Sequence, residues 1–363
     1  MGKGKIIYAA STFSHLEKFH QAYIEALRRD GHEVVTLATG VGADIDLRLE
    51  KKMFSLSNIV RLPRLALIIR RERPDLVILN TALASVAVRM VLPLISRPRV
   101  VNISHGYLFS EKSGGLRSFF LLLCERLLAS RTDALLVMNR EDLRLAVRYK
   151  LYSKRVYFIN GMGVKLSEPC TCRDDARREL MLEEKFVLTY VGELSERKNQ
   201  EFLVRALPML IHKMPNAVLM LVGDGGEKNN LARLAESLGV SHAVRLLGYR
   251  TDVMRLLSAT DLYVSASLSE GLPFNIIEAL SQGLTVLISN IKGHNDIVDD
   301  GVDGFLFKTN NTHDFVNKTC QIYNKIIKIN PGKSIKKSVQ FSFSKAYPKT
   351  LSIIRKEIRH AKH

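Results

Sequence analysis

The sequence predicts an α/β chain built as two Rossmann-like domains. Three observations carry that expectation. The chain has 363 residues, room for about two domains at roughly 100–200 residues each. Short apolar runs alternate with segments of helical periodicity, the pattern of βαβ units on a parallel sheet. The alternation then restarts after a glycine-rich stretch without periodicity, Asn160-Gly161-Met162-Gly163-Val164. Domains are therefore expected at residues 1–160 and 171–342, with a linker at 161–170 and a terminal segment at 343–363.

In the first half, residues 5–10 read as a strand and Ser11-Thr12-Phe13-Ser14 as a turn. Leu16, Phe19, His20, Tyr23, Ile24 and Leu27 then recur at helical spacing, and Gly31 closes that helix. Further strands are expected at 34–38, 75–79, 100–103, 134–138 and 156–159. In the second half, strands at 186–191, 217–222, 244–247, 262–265 and 285–288 accompany helices at 200–212 and 227–238. The tail from about Asn310 is polar and lysine-rich, and regains a helical pattern at 347–358. Ligands of open α/β sheets bind beyond the carboxyl ends of the strands. The residues just after each strand are therefore the ones to read for chemistry.

Hydrophobic residues make up 46% and charged residues 25%, which excludes a disordered or collagen-like chain. Four cysteines are too few for a disulfide framework, and Cys170 and Cys172 lack the companions of a structural zinc site. A reducing, cytoplasmic setting is expected. No apolar run reaches the roughly 18 residues of a spanning helix; the nearest, 81–95, is broken by Arg89 and Pro93. The N-terminus reads as a strand rather than a secretory signal. The net charge is +18, distributed as +13 over residues 1–165, −6 over 166–307 and +11 over 308–363. Basic ends around an acidic middle point to an anionic partner: nucleic acid, anionic lipid or a phosphorylated substrate. A solvated surface without a role fits the same numbers.

The most specific motif is Ser269-Glu270-Gly271-Leu272-Pro273-Phe274-Asn275-Ile276-Ile277-Glu278. It spans a strand-to-helix turn, with Pro273 suited to the first helical position. Phe274, Asn275 and Ile276 would then offer backbone N–H groups and the positive end of the helix dipole, an anion site suited to a diphosphate. Glu278, about one turn in, could accept from a ribose diol. A helix with a solvent-facing Glu278 fits equally well. A second turn, Gly192-Glu193-Leu194-Ser195-Glu196-Arg197-Lys198, sets two cations near a helix start, though a charged loop alone has this look. Gly223-Asp224-Gly225-Gly226 would let backbone approach a nucleotide, and Gly248-Tyr249-Arg250 could flank a base; both also read as plain turns. In the first half, Ser104-His105-Gly106 follows a strand, placing His105 at a carboxyl end.

Together and in order, the Glu270/Glu278 pair, GELSERKN, VGDGG, LGYRTDV, SHG and Gly301-Val302-Asp303-Gly304-Phe305-Leu306 resemble the family 4 glycosyltransferases of the GT-B fold. The likeness is to the bacterial exopolysaccharide and capsule subgroup. It covers nearly the full length, is strongest over 187–306, and extends to 11–19, which resembles the subgroup's acceptor-side loop. The resemblance implies two Rossmann-like domains facing each other across a cleft, the C-terminal helix returning to the N-terminal one. It implies retaining transfer from a nucleotide sugar, UDP-linked by family habit, with no cofactor and no metal. Arg197, Lys198 and the 274–276 helix start would hold the diphosphate, with Gly192 allowing close backbone approach. Glu270 would bind sugar hydroxyls, Glu278 the ribose, and Gly223, Tyr249 and Arg250 would border the base. His105 and Gly106, with Ser14 and His15, would lie on the acceptor side. His105, Lys198 and Glu270 are the expected catalytic residues. Many members carry Arg where this chain has Glu193, so Arg197 beside Lys198 is expected to take its place.

The expected acceptor is a polyprenyl-diphosphate-linked saccharide at the inner face of the plasma membrane. Anionic lipid would meet a first domain joined by the basic tail, +24 in all. The segment 116–123 is either a membrane contact or a core helix. Alternatives are a sugar-nucleotide epimerase of the same fold, whose extra acid and base groups are not found, and a non-catalytic subunit of a glycosylation complex. Nucleic acid is not an expected partner, because aromatics do not interleave with the basic residues as stacking platforms would.

Overall fold

The computed structural model describes residues 4–50, 55–92, 98–111, 114–170 and 172–361. The chain divides into two compact units, Met1–Gly163 with Ser344–His363 (unit 1) and Val164–Phe343 (unit 2).

Unit 1 opens with β1 (Lys5–Thr12), whose Ile6, Ile7, Tyr8, Ala9 and Ala10 are all buried. Burial on both faces is what a central parallel strand requires. The turn expected at 11–14 does not form. β1 runs through Thr12 and α1 (Phe13–Arg29) begins at the next residue. Ser11 has a partner elsewhere: its amide and hydroxyl meet the Thr81 hydroxyl at 2.9 and 2.6 Å, so no turn is needed to satisfy it. β2 (Glu33–Thr39), β3 (Ile45–Asp46), α2 (Leu56–Glu72), β4 (Leu76–Asn80), α3 (Ala82–Val91) and β5 (Arg99–Ser104) follow. Then come α4 (Leu116–Leu127), β6 (Ala134–Val137), α5 (Arg140–Tyr149) and β7 (Arg155–Phe158). The strands pair in parallel in the order β3-β2-β1-β4-β5-β6-β7. The order reverses between β1 and β4, so the loops beyond these strands flank a switch point.

Unit 2 comprises α6 (Arg173–Glu179), β8 (Phe186–Val191), α7 (Gln200–Lys213), β9 (Ala217–Val222), α8 (Lys228–Ser237), β10 (Val244–Gly248) and α9 (Val253–Ser258). It continues with β11 (Leu262–Ser265), α10 (Phe274–Ser281), β12 (Thr285–Ser289), α11 (His294–Ile297), β13 (Phe305–Phe307), α12 (Thr312–Tyr323) and α13 (Pro331–Val339). Its strand order is β10-β9-β8-β11-β12-β13, reversing between β8 and β11. Val164 closes the unit by accepting from the Phe343 amide and donating to the Phe341 carbonyl. Cys170 and Cys172 are joined by a disulfide across one residue.

The polar tail divides between the units. It folds as α12 and α13 within unit 2, and only α14 (Phe343–His360) lies with unit 1. α12 buries Phe315 and Val316. α13 is capped by Asn330, whose side chain accepts from the Gly332 amide, with Pro331 in the first turn. α14 is held to unit 1 by Glu357, fully buried, whose carboxylate meets Arg99 at 2.6 Å and the Tyr157 hydroxyl at 2.8 Å. The charge ledger changes accordingly. Unit 1 carries +17 rather than the expected +24, and unit 2 carries +1.

Candidate active site

The switch point of unit 2 gathers most of the motif residues. β8 ends at Val191 and β11 at Ser265, neighbours in the sheet. The loops that follow are tied together: the Leu268 amide donates to the Arg197 carbonyl at 2.9 Å, and Arg197 donates to the Ser269 carbonyl at 2.8 Å. Glu270 sits between two cations. Lys198 Nζ lies 2.6 Å from one carboxylate oxygen, and an Arg197 guanidinium nitrogen lies 3.0 Å from the other. Glu270 and Lys198 are largely buried, whereas the Arg197 side chain is 49% exposed. Burial raises the Glu270 pKa, but the Lys198 and Arg197 charges outweigh it and leave the carboxyl below its ordinary value. Glu270 is thus a carboxylate at neutral pH, and the triad carries one net positive charge.

α10 starts beside this triad. Pro273 is its N-cap in extended conformation, one position before the first helical residue rather than at it as expected. A proline there offers no side-chain cap of the kind Ser or Asp supplies. No acidic side chain lies in that turn. Asn275 ties α10 back to β8 through a hydrogen bond to the Val191 carbonyl. Ile276 is fully buried, so its amide alone can serve a ligand, and Leu272 packs on the core beneath. Glu278 is half-buried on the second turn.

The glycines have a packing reason. A Cβ on Gly223 would lie 1.9 Å from the Gly192 carbonyl oxygen, and Gly223 has φ +141°. Gly223 is therefore required by the approach of two loops, whereas a Cβ on Gly192 (φ +147°) would lie 2.7 Å from the Tyr190 hydroxyl. Gly271 borders a third loop, where a Cβ on Gly293 would lie 2.8 Å from the Gly271 carbonyl oxygen. Tyr249 is 80% exposed at the end of the edge strand β10. Arg250 is paired with Asp252 at 2.6 Å. The Glu193 side chain is exposed, and its carbonyl accepts from Gln200.

His294, which the motifs did not single out, belongs here. It is fully buried, its Nδ1 lies 2.8 Å from the Ser289 carbonyl, and its Nε2 has no hydrogen-bond partner. Burial, opposed by the Glu270 charge, holds its pKa at about 4. The buried Ser195 hydroxyl is likewise unpartnered. Buried polar side chains usually find a hydrogen-bond partner; these two are among six buried side-chain polar atoms without one among the described residues.

Unit 1 presents different chemistry. His105 and Gly106 follow β5, and Gly106 has φ +121°. The next amide, Tyr107, donates to Asp142 at 3.0 Å and fixes the loop. Ser14 and His15 lie in the first turn of α1, not in a loop; Ser14 is exposed and bonds the Thr12 hydroxyl. His105 Nε2 is 3.4 Å from His15 Nε2 and 3.2 Å from Nε2 of His20, which is fully buried. Burial lowers the pKa of His105 to about 3 and of His15 to about 4, and holds His20 well below the ordinary value. Beside His105 opens a pocket lined by Tyr107, Phe109, Leu121 and Glu125. Glu125 is paired with the fully buried Arg89 at 2.9 Å.

Two parallel-sheet units, each with residues of recognition type beyond its reversal, define an α/β protein of the GT-B fold. Comparison with known proteins gives the family. Residues 173–328 match the model of glycosyl transferases group 1, and residues 17–161 that of the glycosyl transferase 4-like domain. The chain is 28% identical over 335 residues to the putative glycosyltransferase EpsD of Bacillus subtilis, covering 88% of each. It is 29% identical over 286 residues to the Escherichia coli UDP-Gal:alpha-D-GlcNAc-diphosphoundecaprenol alpha-1,3-galactosyltransferase, covering 76% of this chain and 72% of that one. Among solved structures, Anabaena HepE in complex with UDP and glucose aligns with TM-score 0.76 at 21% identity, covering 97% of this chain and 100% of that chain. Sucrose-phosphate synthase from Thermosynechococcus elongatus aligns with TM-score 0.78 at 18% identity, covering 98% and 99%. The chain belongs to the family 4 glycosyltransferases and is an enzyme of that class.

Proposed function

We propose that this glycosyltransferase moves a sugar from a UDP-sugar to a lipid-linked saccharide, with retention at the anomeric carbon, in surface-polysaccharide synthesis. The observation that carries the reading is the Lys198–Glu270–Arg197 triad beside the α10 N-terminus. The departing nucleoside diphosphate gains negative charge, and two cations plus a helix start stabilise that charge without a metal. Glu270, kept ionised by its neighbours, orients the sugar hydroxyls, and Glu278 takes the ribose diol. Gly223, Tyr249 and Arg250 border the base. The acceptor hydroxyl oxygen bonds to the anomeric carbon as the bond from that carbon to the phosphate oxygen breaks. The hydroxyl proton passes to a phosphate oxygen of the leaving group, so no side chain serves as general base. His105, His15, Ser14 and Gly106 stand on the acceptor side.

The E. coli relative acts on a diphosphoundecaprenol-linked sugar, which supports a lipid-linked acceptor here. α4 supports an anionic membrane as the place of reaction. Its Leu116, Phe119, Phe120 and Leu127 are exposed, while Leu121 faces the core. The segment is thus mostly surface. An exposed apolar helix on a unit of charge +17 suits an anionic bilayer. Among the described residues no helix is long and apolar enough to cross a membrane. The test is release of UDP from a panel of UDP-sugars with and without polyprenyl-diphosphate-linked saccharides. The proposal expects acceptor-dependent release and an α-configured product from an α-linked donor. An inverted product, or conversion of the nucleotide sugar without acceptor, would overturn it, and the second result would favour the epimerase.

A further inference from the structure

We infer that unit 1 holds a divalent-cation site, with His15, His20 and His105 as ligands through Nε2 and a fourth position left for water or a substrate oxygen. The three ligand atoms lie within 4.8 Å of one another. Zinc–nitrogen bonds of about 2.0–2.1 Å in a tetrahedral site put neighbouring ligand nitrogens about 3.3 Å apart. The two Nε2 separations at His105 are 3.4 and 3.2 Å. Ring centroids are 4.6, 5.2 and 5.3 Å apart, and His105 meets each of the others edge to face. His105 thus meets both neighbours nitrogen to nitrogen rather than by stacking, and the His15 and His20 ligand atoms stay within 4.8 Å of each other.

Hydrogen bonding among the rings alone accounts poorly for this. A neutral imidazole has one N–H and one lone pair. Nε2 of His105 faces two other Nε2 atoms and can serve only one of them well. A cation gathers all three lone pairs. The Tyr8 hydroxyl lies 3.0 Å from Nδ1 of His20, giving the other ring nitrogen the orienting partner that metal-bound histidines commonly have. His20 is buried beneath, whereas His15 and His105 are half-buried, so the open position lies on their side. An all-imidazole set selects zinc, cobalt or nickel over magnesium or calcium. The site belongs to unit 1 and its own imidazoles. It is independent of the metal-free leaving-group chemistry proposed for unit 2.

The test is titration of the untagged, chelator-treated full-length chain with Co²⁺, read by visible absorption, and with Zn²⁺, read by calorimetry, without donor or acceptor. One ion per chain is expected, with no competition from millimolar Mg²⁺. His15→Ala and His105→Ala should each weaken binding at least tenfold while circular dichroism is unchanged. His242→Ala, an exposed histidine outside the cluster, should bind as wild type. Absence of saturable binding, or wild-type affinity in the folded His15→Ala chain, would overturn the site. Because no substrate is present, either result leaves the transferase reading untouched.

Discussion

The two units share an architecture and differ in what they place at its reversal. Unit 2 is nearly neutral, +1 overall, yet sets Lys198, Arg197 and Glu270 in direct contact at its switch point. Unit 1 carries +17, yet the residues beyond its strands are neutral imidazoles beside an apolar-lined pocket. Summed charge and site charge are therefore separate quantities. A whole-domain field acts on surfaces and encounter, whereas charge developing on a leaving group is met by groups within bonding distance.

The comparison can be broken by substitution. Lys198→Ala should cut kcat by about 10²–10³, the usual cost of a lost transition-state contact, with the fold intact by circular dichroism. Unchanged turnover would remove Lys198 from its role. Gly223→Ala should give the largest stability loss in unit 2, on the order of 1–3 kcal/mol or more from backbone strain, because its Cβ would meet the Gly192 carbonyl at 1.9 Å; denaturant unfolding measures this.

In unit 1, Phe119→Ser with Phe120→Ser should lower binding to vesicles containing phosphatidylglycerol several-fold while leaving turnover of a short-chain, detergent-free acceptor unchanged. Equal binding to neutral vesicles would argue against the charge contribution. Acid should separate the units. His15, His20 and His105 have folded pKa values far below the unfolded value of about 6.5. The unfolded chain then binds more protons, so stability falls as pH drops from about 6.5 through 4 toward the folded value of His105, about 3. Unit 2 has the same shift at His294. Calorimetry at pH 7 and 5 should show the unit 1 transition moving further. The smallest effect is expected from Arg250→Ala. Its partner Asp252 is close in sequence and the pair is partly exposed, so denaturant unfolding should show little change in stability.

Much of this was legible in the sequence because both signals are local. A buried parallel strand is a run of apolar residues, and a strand-to-helix turn carries its glycines and charges within a few positions. α13 was hidden because it buries Ser334, Lys337 and Ser338 rather than an apolar stripe. Lys337 tolerates burial by pairing with Asp299 at 2.7 Å, a contact no periodicity reveals. His20 read as one more residue of a helical stripe; its role depends on His105, distant in sequence. His294 lies after β12 without a surrounding motif, and only the orphaned Nε2 exposes it. Glu193 could be named as a departure but not placed until the loop showed its side chain outside.

The most direct measurement is equilibrium binding of UDP to the full-length chain by calorimetry, in EDTA and then in excess Mg²⁺. Equal affinity in the two buffers, and at least a tenfold loss in Lys198→Ala, is the expected result. Binding that appears only with Mg²⁺, or that is indifferent to Lys198, would contradict a leaving-group site built from side-chain cations and a helix start.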